Sequence, residues 1–166
     1  MVAEFTAIEV PKLYTSAMMQ AALLHDTIED TELTEKMITE IFGEEVAKHV
    51  EGLTRVKPYG KISAEESLNI LVKQKRYDTV LIKLFDRIHN VQTLGAKSPE
   101  KAQKIIQETL RKFLILSEML EISIVSELIY NECYKNNLKF NLINGTIFNT
   151  AINHNPFPFF QNNLLP

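Results

Sequence analysis

An all-α fold is predicted by three observations on this 166-residue chain. Apolar residues recur at three- and four-residue spacing through the first 133 positions, the helical period. Helix-start signals stand directly before two of the later runs, and glycine or proline closes several of the others. With 45% hydrophobic residues the chain is long enough to bury one real core, so a tandem of full-sized domains is excluded.

The elements follow in order. Residues 2–10 are amphipathic, with Val2, Phe5, Ile8 and Val10 near one side, and Pro11 closes them. Residues 14–28, carrying Ala17, Met18, Ala21, Ala22 and Leu24, predict a central, mostly apolar helix. Two short helices are expected over 34–42 and 44–54, separated by Gly43 as a helix-ending glycine. A loop through Lys57, Pro58, Tyr59 and Gly60 follows. Ser63 and Glu66 form a capping box at the start of a helix over 64–76. The run Val80, Leu81, Ile82, Leu84, Phe85 resembles a buried strand, but its continuation through Ile88, Val91 and Leu94 to Gly95 favours a helix. Ser98 and Pro99 then open a long helix to about Leu120, and a final helix is expected over 122–133.

Composition changes at Tyr134. Residues 134–166 contain Lys135 and Lys139 but no acidic residue, nine asparagines and five of the nine phenylalanines. The expected organisation is therefore a helical domain over 1–133 and an Asn/Phe-rich, irregular tail over 134–166, in which His154 is a poor metal candidate. A net charge of −3 argues against a nucleic-acid-coating protein. No stretch approaches 18 consecutive apolar residues, so neither a membrane span nor a signal peptide is expected. The single Cys133 cannot form an internal disulfide, which suits a reducing, cytoplasmic setting.

Chemistry concentrates in two polar stripes on apolar helices. In His25-Asp26-Thr27-Ile28-Glu29-Asp30, helical spacing crowds an imidazole and three carboxylates on one side. They stand at a helix C-terminus, where the macrodipole disfavours negative charge by up to ~1 kcal/mol per group. A divalent cation would compensate, and carboxylate with imidazole suits Mn²⁺, Fe²⁺ or Zn²⁺; a solvated acidic helix end is the alternative. Asp86, Asn90 and Thr93 share a second helix face, with His89 at its edge. Asp86 can supply another metal oxygen, and Asn90 and Thr93 can hydrogen-bond a ligand beside it. Alternatively Asp86 pairs with Arg87 or another surface base, and the other two are merely solvated.

The words AALLHDTIEDT (21–31), EVAKHVEGLTRV (45–56), VLIKLFDRIHNVQTL (80–94) and ETLRKFLILSEMLEI (108–122) occur in this order. His25-Asp26 with a distant Asp86 resembles the metal core of HD-domain phosphohydrolases, and the four blocks together resemble the hydrolase domain of the RelA/SpoT family. The resemblance implies an HD-domain helical bundle that hydrolyses the 3′-pyrophosphate of guanosine tetraphosphate or pentaphosphate with Mn²⁺. It implies metal ligation by His25, Asp26 and Asp86, support of water attack by Glu29 and Asp30, and nucleotide contacts from Asn90 and Thr93.

The family pattern also has a first ligand histidine on the preceding helix, and no histidine stands before His25. The bundle is therefore expected to be incomplete at its N-terminus, with apolar surface uncovered for a protein partner or self-association. His49, expected at the surface or partly buried, and His89, expected in a structural role, are poor substitutes. Three functions compete: an alarmone hydrolase impaired by the missing ligand, a catalytically inactive remnant acting as a binding or partner-completed module, and an HD phosphohydrolase for another nucleotide. The retained Glu29-Asp30 pair favours the first, the absent histidine the second, and Asn90 with Thr93 count against the third.

Overall fold

The computed structural model describes residues 15–139. The expected helix over 2–10 and the chain beyond Lys139 lie outside the described residues. The all-α expectation holds: helices dominate, accompanied among the described residues by one two-stranded hairpin. The chain divides into two compact units, residues 1–90 and 91–166. That division falls within a helix, away from the composition change at Tyr134.

In the first unit, α1 (Ser16–Leu24) starts at Thr15, whose hydroxyl accepts from the Met18 amide at 3.2 Å. It buries Met18, Ala21 and Ala22 and packs against α4 (Glu44–Leu53). The single helix expected over 14–28 is interrupted. His25 and Asp26 form a turn before the four-residue α2 (Thr27–Asp30). Side chains hold the carbonyls at the break: His25 Nδ1 donates to Ala22 O at 2.8 Å and Thr27 Oγ1 to Leu24 O at 2.6 Å. Such local bonds compete with the helical ladder.

Helix α3 (Glu35–Phe42), capped by Thr34, also packs on α4. Gly43 joins the two at φ +91°, a conformation that disfavours any side chain. Beyond α4 the expected loop is a hairpin, β1 (Val56–Lys57) with β2 (Gly60–Lys61), paired Val56 to Lys61 and Lys57 to Gly60. Pro58 and Tyr59 make its two-residue connection, and Gly60 takes φ +124°.

Helix α5 (Ala64–Lys73) begins as expected, with Ser63 Oγ accepting from the Glu66 amide at 3.0 Å. It ends earlier than the expected 76, in a left-handed Lys75 at φ 57°. The Arg76 amide donates to Leu71 O and the Lys75 amide to Val72 O, both at 3.0 Å, which satisfies the last carbonyls. Helix α6 (Tyr77–Gln92) confirms the helical reading of the strand-like run. Val80, Leu81, Ile82, Leu84, Phe85 and Ile88 are all buried, because this helix is enclosed on most sides.

Gly52 on α4 lets the end of α5 close on the helix. A Cβ there would stand 2.6 Å from Arg76 Nη2 and 3.0 Å from Leu71 Cδ2. The Arg76 guanidinium it would displace bonds Lys48 O and the Glu51 carboxylate, which also receives Lys57. Although Gly→Ala inside a helix ordinarily stabilises by up to ~1 kcal/mol, Gly52→Ala is expected to destabilise by about 1–2 kcal/mol through loss of these charged bonds. Urea unfolding of a double-mutant cycle checks it: the penalty should vanish in an Arg76→Ala background.

The second unit holds a 3₁₀ turn (Leu94–Ala96), α7 (Pro99–Glu108), a π-helical segment (Thr109–Leu114), α8 (Ile115–Met119) and α9 (Ser123–Lys139). Ser98 caps α7 through the Lys101 amide at 3.4 Å, with Pro99 at the first position, as expected. The long helix expected to reach Leu120 is broken by the π segment, which buries Thr109, Leu110, Phe113 and Leu114 together. Against that segment and α8 lies α9, with Ser117 and Ser126 hydroxyls 2.8 Å apart. Helix α9 runs six residues past the expected end at 133, since Asn136 and Asn137 are buried and Asn136 Nδ2 donates to Glu132 O. Cys133 is buried.

Candidate functional site

The turn that ends α1 sets the site. Because Ala22 O can only accept, His25 Nδ1 carries the proton of their hydrogen bond, which aims Nε2 away from α1. Nε2 lies 2.9 Å from Asp26 Oδ2 and 3.7 Å from Asp86 Oδ1 on α6. His25, Asp26 and Asp86 therefore meet in the structure. The hydrogen bond to Asp26, outweighing burial, raises the His25 pKa, and the same bond holds Asp26 below the usual carboxylate range. Burial pushes the Asp86 carboxyl up, against the nearby His25 and Lys83. Asn90 Nδ2 donates to Asp86 Oδ1 at 3.1 Å, so Asn90 sits beside Asp86 as the four-residue spacing requires.

Glu29 is held from the hairpin side. Its two oxygens take different donors: Oε1 the Arg55 amide at 2.6 Å and Oε2 the Lys61 ammonium at 2.7 Å. Burial pushes its carboxyl up, but those two hydrogen bonds outweigh it and leave the pKa lowered. Asp30 is exposed at the end of α2. The break at His25–Asp26 ends the regular helical spacing from which the crowding of the four groups was expected. Thr93 belongs to the second unit, where it precedes the 3₁₀ turn with φ −94° and ψ 11°. Helix α6 ends at Gln92, one residue before Thr93.

Lys83 was not singled out by the sequence reading. It is buried, donates to Leu53 O at 3.0 Å, and burial pushes its ammonium down to about 8, with Asp86 opposing. A lysine inside the apolar run Val80 to Phe85 was the available signal. His49, expected at the surface or partly buried, is buried as well. Its Nδ1 lies 2.8 Å from Thr79 Oγ1 and its Nε2 3.6 Å from Asp78 Oδ2, so both ring nitrogens face α6 partners.

Burial lowers the His49 pKa from 6.5, against the opposing charge of Asp78. The folded chain therefore holds this ring neutral more tightly than the unfolded chain does. Its contribution to stability is full above about pH 6.5 and is lost as pH falls through the lower folded value. Unfolding free energies between pH 5 and 8 should show this slope in the wild type, and the slope should flatten in His49→Gln.

Among the described residues no three His, Cys, Asp or Glu side chains form a group arranged to hold a metal ion. The donor chemistry of His25, Asp26 and Asp86 nevertheless suits a divalent cation: one imidazole nitrogen held in the right tautomer by Ala22, and two carboxylates around it.

Residues 4–122 match the family model described as HD domain. The chain is 41% identical over 119 residues to a GTP pyrophosphokinase of Myxococcus xanthus, covering 64% of this chain and 15% of that protein. It is 44% identical over 115 residues to the guanosine-3′,5′-bis(diphosphate) 3′-pyrophosphohydrolase of Aquifex aeolicus, covering 65% and 16%. A probable 3′-pyrophosphohydrolase of the same compound from Synechocystis is 38% identical over 112 residues, covering 64% and 15%. The matched region thus spans about 15% of the length of these relatives.

Proposed function

This chain belongs to the HD domain family, and on that premise we propose that it is the hydrolase part of a RelA/SpoT-type protein, removing the 3′-pyrophosphate of guanosine 3′,5′-bis(diphosphate). The observation that carries the reading is the meeting of His25, Asp26 and Asp86 at one point of the first unit. The family implies a divalent metal, and Mn²⁺ is the ion proposed here, held by those three residues. When bound, the ion supplies polarisation of the phosphoryl oxygens and activation of water. The substrate is a guanine nucleotide alarmone, and the setting proposed is the cytoplasm. No helix among the described residues is long and apolar enough to cross a membrane.

The chain's own residues then divide the work. His25 and Asp26 are fixed by the turn after α1, Asp86 by α6 and the Asn90 amide. Glu29, kept ionised by Lys61 and the Arg55 amide, orients the attacking water or takes its proton. Asp30, exposed on α2, is placed to meet solvent or substrate at the same end. Asn90 and Thr93 are retained as nucleotide-contacting residues. In hydrolysis the water oxygen bonds the phosphorus attached to the 3′ oxygen, the P–O3′ bond breaks, and the 3′ oxygen leaves with a proton as a hydroxyl while pyrophosphate is released carrying the water oxygen.

A second reading rests on the absence, among the described residues, of a group of three or more side chains arranged for a metal. In it the chain is inactive alone and completed by a protein partner or a second copy. The exposed Leu23, Met37, Ile41 and Phe42 of the first unit are the apolar surface such a partner would meet. Purified protein incubated with guanosine tetraphosphate and Mn²⁺, with pyrophosphate release and bound metal measured together, separates the two. Turnover with stoichiometric metal supports the hydrolase. Neither metal nor turnover supports the partner-completed module.

A further inference from the structure

We propose that Lys61, on the second strand of the hairpin, is a positioning residue that clamps Glu29 for the hydrolytic step; the assignment of a step rests on the function proposed above, the clamp itself on geometry alone. The Glu29 carboxylate is fixed at both ends, Oε2 by Lys61 Nζ at 2.7 Å and Oε1 by the Arg55 amide at 2.6 Å. The two donors flank the hairpin: Arg55 directly precedes β1, and the Ile62 amide after β2 donates to Arg55 O at 2.9 Å. The hairpin is therefore a closed loop of chain that presents two donors to one carboxylate. With both oxygens bonded, its plane is fixed as well as its position.

Fold stability does not explain this arrangement. The Lys61 side chain is 55% exposed while Glu29 is only 13% exposed. An ion pair with one exposed, flexible partner contributes little to folding. What the pair does fix is the orientation of a nearly buried carboxylate at the end of α2, close in sequence to His25 and Asp26. Removing Lys61 frees Oε2 without opening a core, since Glu29 keeps the Arg55 amide and can rotate about that single bond. The other cations facing Glu29 are Arg55 and Lys83, neither of which bonds Oε2 in the structure.

The test compares Lys61→Met and Lys61→Arg with the wild type by two readouts. The first needs no activity: the ¹³C titration of the Glu29 carboxyl and the amide shift of Arg55. Lys61→Met should raise the Glu29 midpoint and move the Arg55 amide, with Lys61→Arg close to wild type; an unchanged titration and amide overturn the clamp. The second is hydrolysis of guanosine tetraphosphate with Mn²⁺. Lys61→Met should lower kcat by about tenfold to a hundredfold with KM nearly constant, the scale expected of an ångström-sized misplacement, and Lys61→Arg should restore most of it. Equal kcat in wild type and Lys61→Met overturns the positioning role. A wild type that binds no metal and does not turn over sinks the hydrolase reading instead, while the titration still decides the clamp.

Discussion

Asp86→Asn is expected to abolish both the hydrolysis and the metal response proposed for this chain while leaving its metal-free fold intact. Wild-type protein given Mn²⁺ at about a hundred times its dissociation constant should gain ~2.7 kcal/mol by mass action, because the unfolded chain offers no preformed site. For a chain of this length that is a rise of about 5–10 °C in Tm. Asp86 is the less exposed of the two carboxylates that meet at His25, and it comes from a separate helix. Its loss leaves His25 and Asp26, adjacent in sequence, which cannot enclose an ion by themselves. The Tm rise should therefore disappear and turnover should fall by at least ~100-fold, more than outer-shell changes cost. The metal-free Tm should not drop, because burial already raises the Asp86 pKa and its charge is held at a cost. Calorimetric scans with and without Mn²⁺ make the comparison, and a variant that still shows the full metal-induced rise would remove Asp86 from the site.

The residues legible in the sequence were those whose role depends on near neighbours. The buried helix α6 could be read from apolar residues that continue past any strand length, and Asp86 with Asn90 from a four-residue spacing that the structure turns into a hydrogen bond. The caps at Ser63 and Ser98 were equally local. Departures arise where a side chain competes with the helical ladder or where a partner is distant in sequence. His25 and Thr27 take carbonyls of α1 and break it, and with the break goes the regular stripe that placed Glu29 beside His25. Glu29 finds Lys61 thirty-two positions away, on strands of two residues, too short to leave an alternating pattern. The π segment at Thr109–Leu114 keeps the same apolar residues buried with a different turn, so periodicity alone did not reveal it.

Lys83→Met should make the metal-free chain more stable at neutral pH and a poorer enzyme. Burial lowers the Lys83 pKa from 10.5 to about 8, so the folded chain at pH 7 carries a charge it holds less readily than the unfolded chain does. The shift corresponds to about 3 kcal/mol of destabilisation below pH 8. Between pH 8 and 10.5 the unfolded chain binds the extra proton, so this group makes wild-type stability climb with pH across that window and flatten above it. Methionine fills similar space without the charge and forfeits the bond to Leu53 O, worth about 1 kcal/mol. A net gain of about 1–2 kcal/mol at pH 7 is expected, with the climb between pH 8 and 10.5 reduced in the variant. Activity should move the other way, by about tenfold to a hundredfold in kcat/KM, since the cation that faces Asp86 and Glu29 in a water-poor setting is gone. Denaturant titrations at pH 7, 9 and 10.5, run beside the pyrophosphate assay, carry the test: a variant that is less stable than wild type at pH 7 and keeps the full alkaline climb would show that the buried ammonium is not held at a cost. Opposite movement of stability and turnover would mean that a charge costly to the fold is kept for what it does to the carboxylates around it.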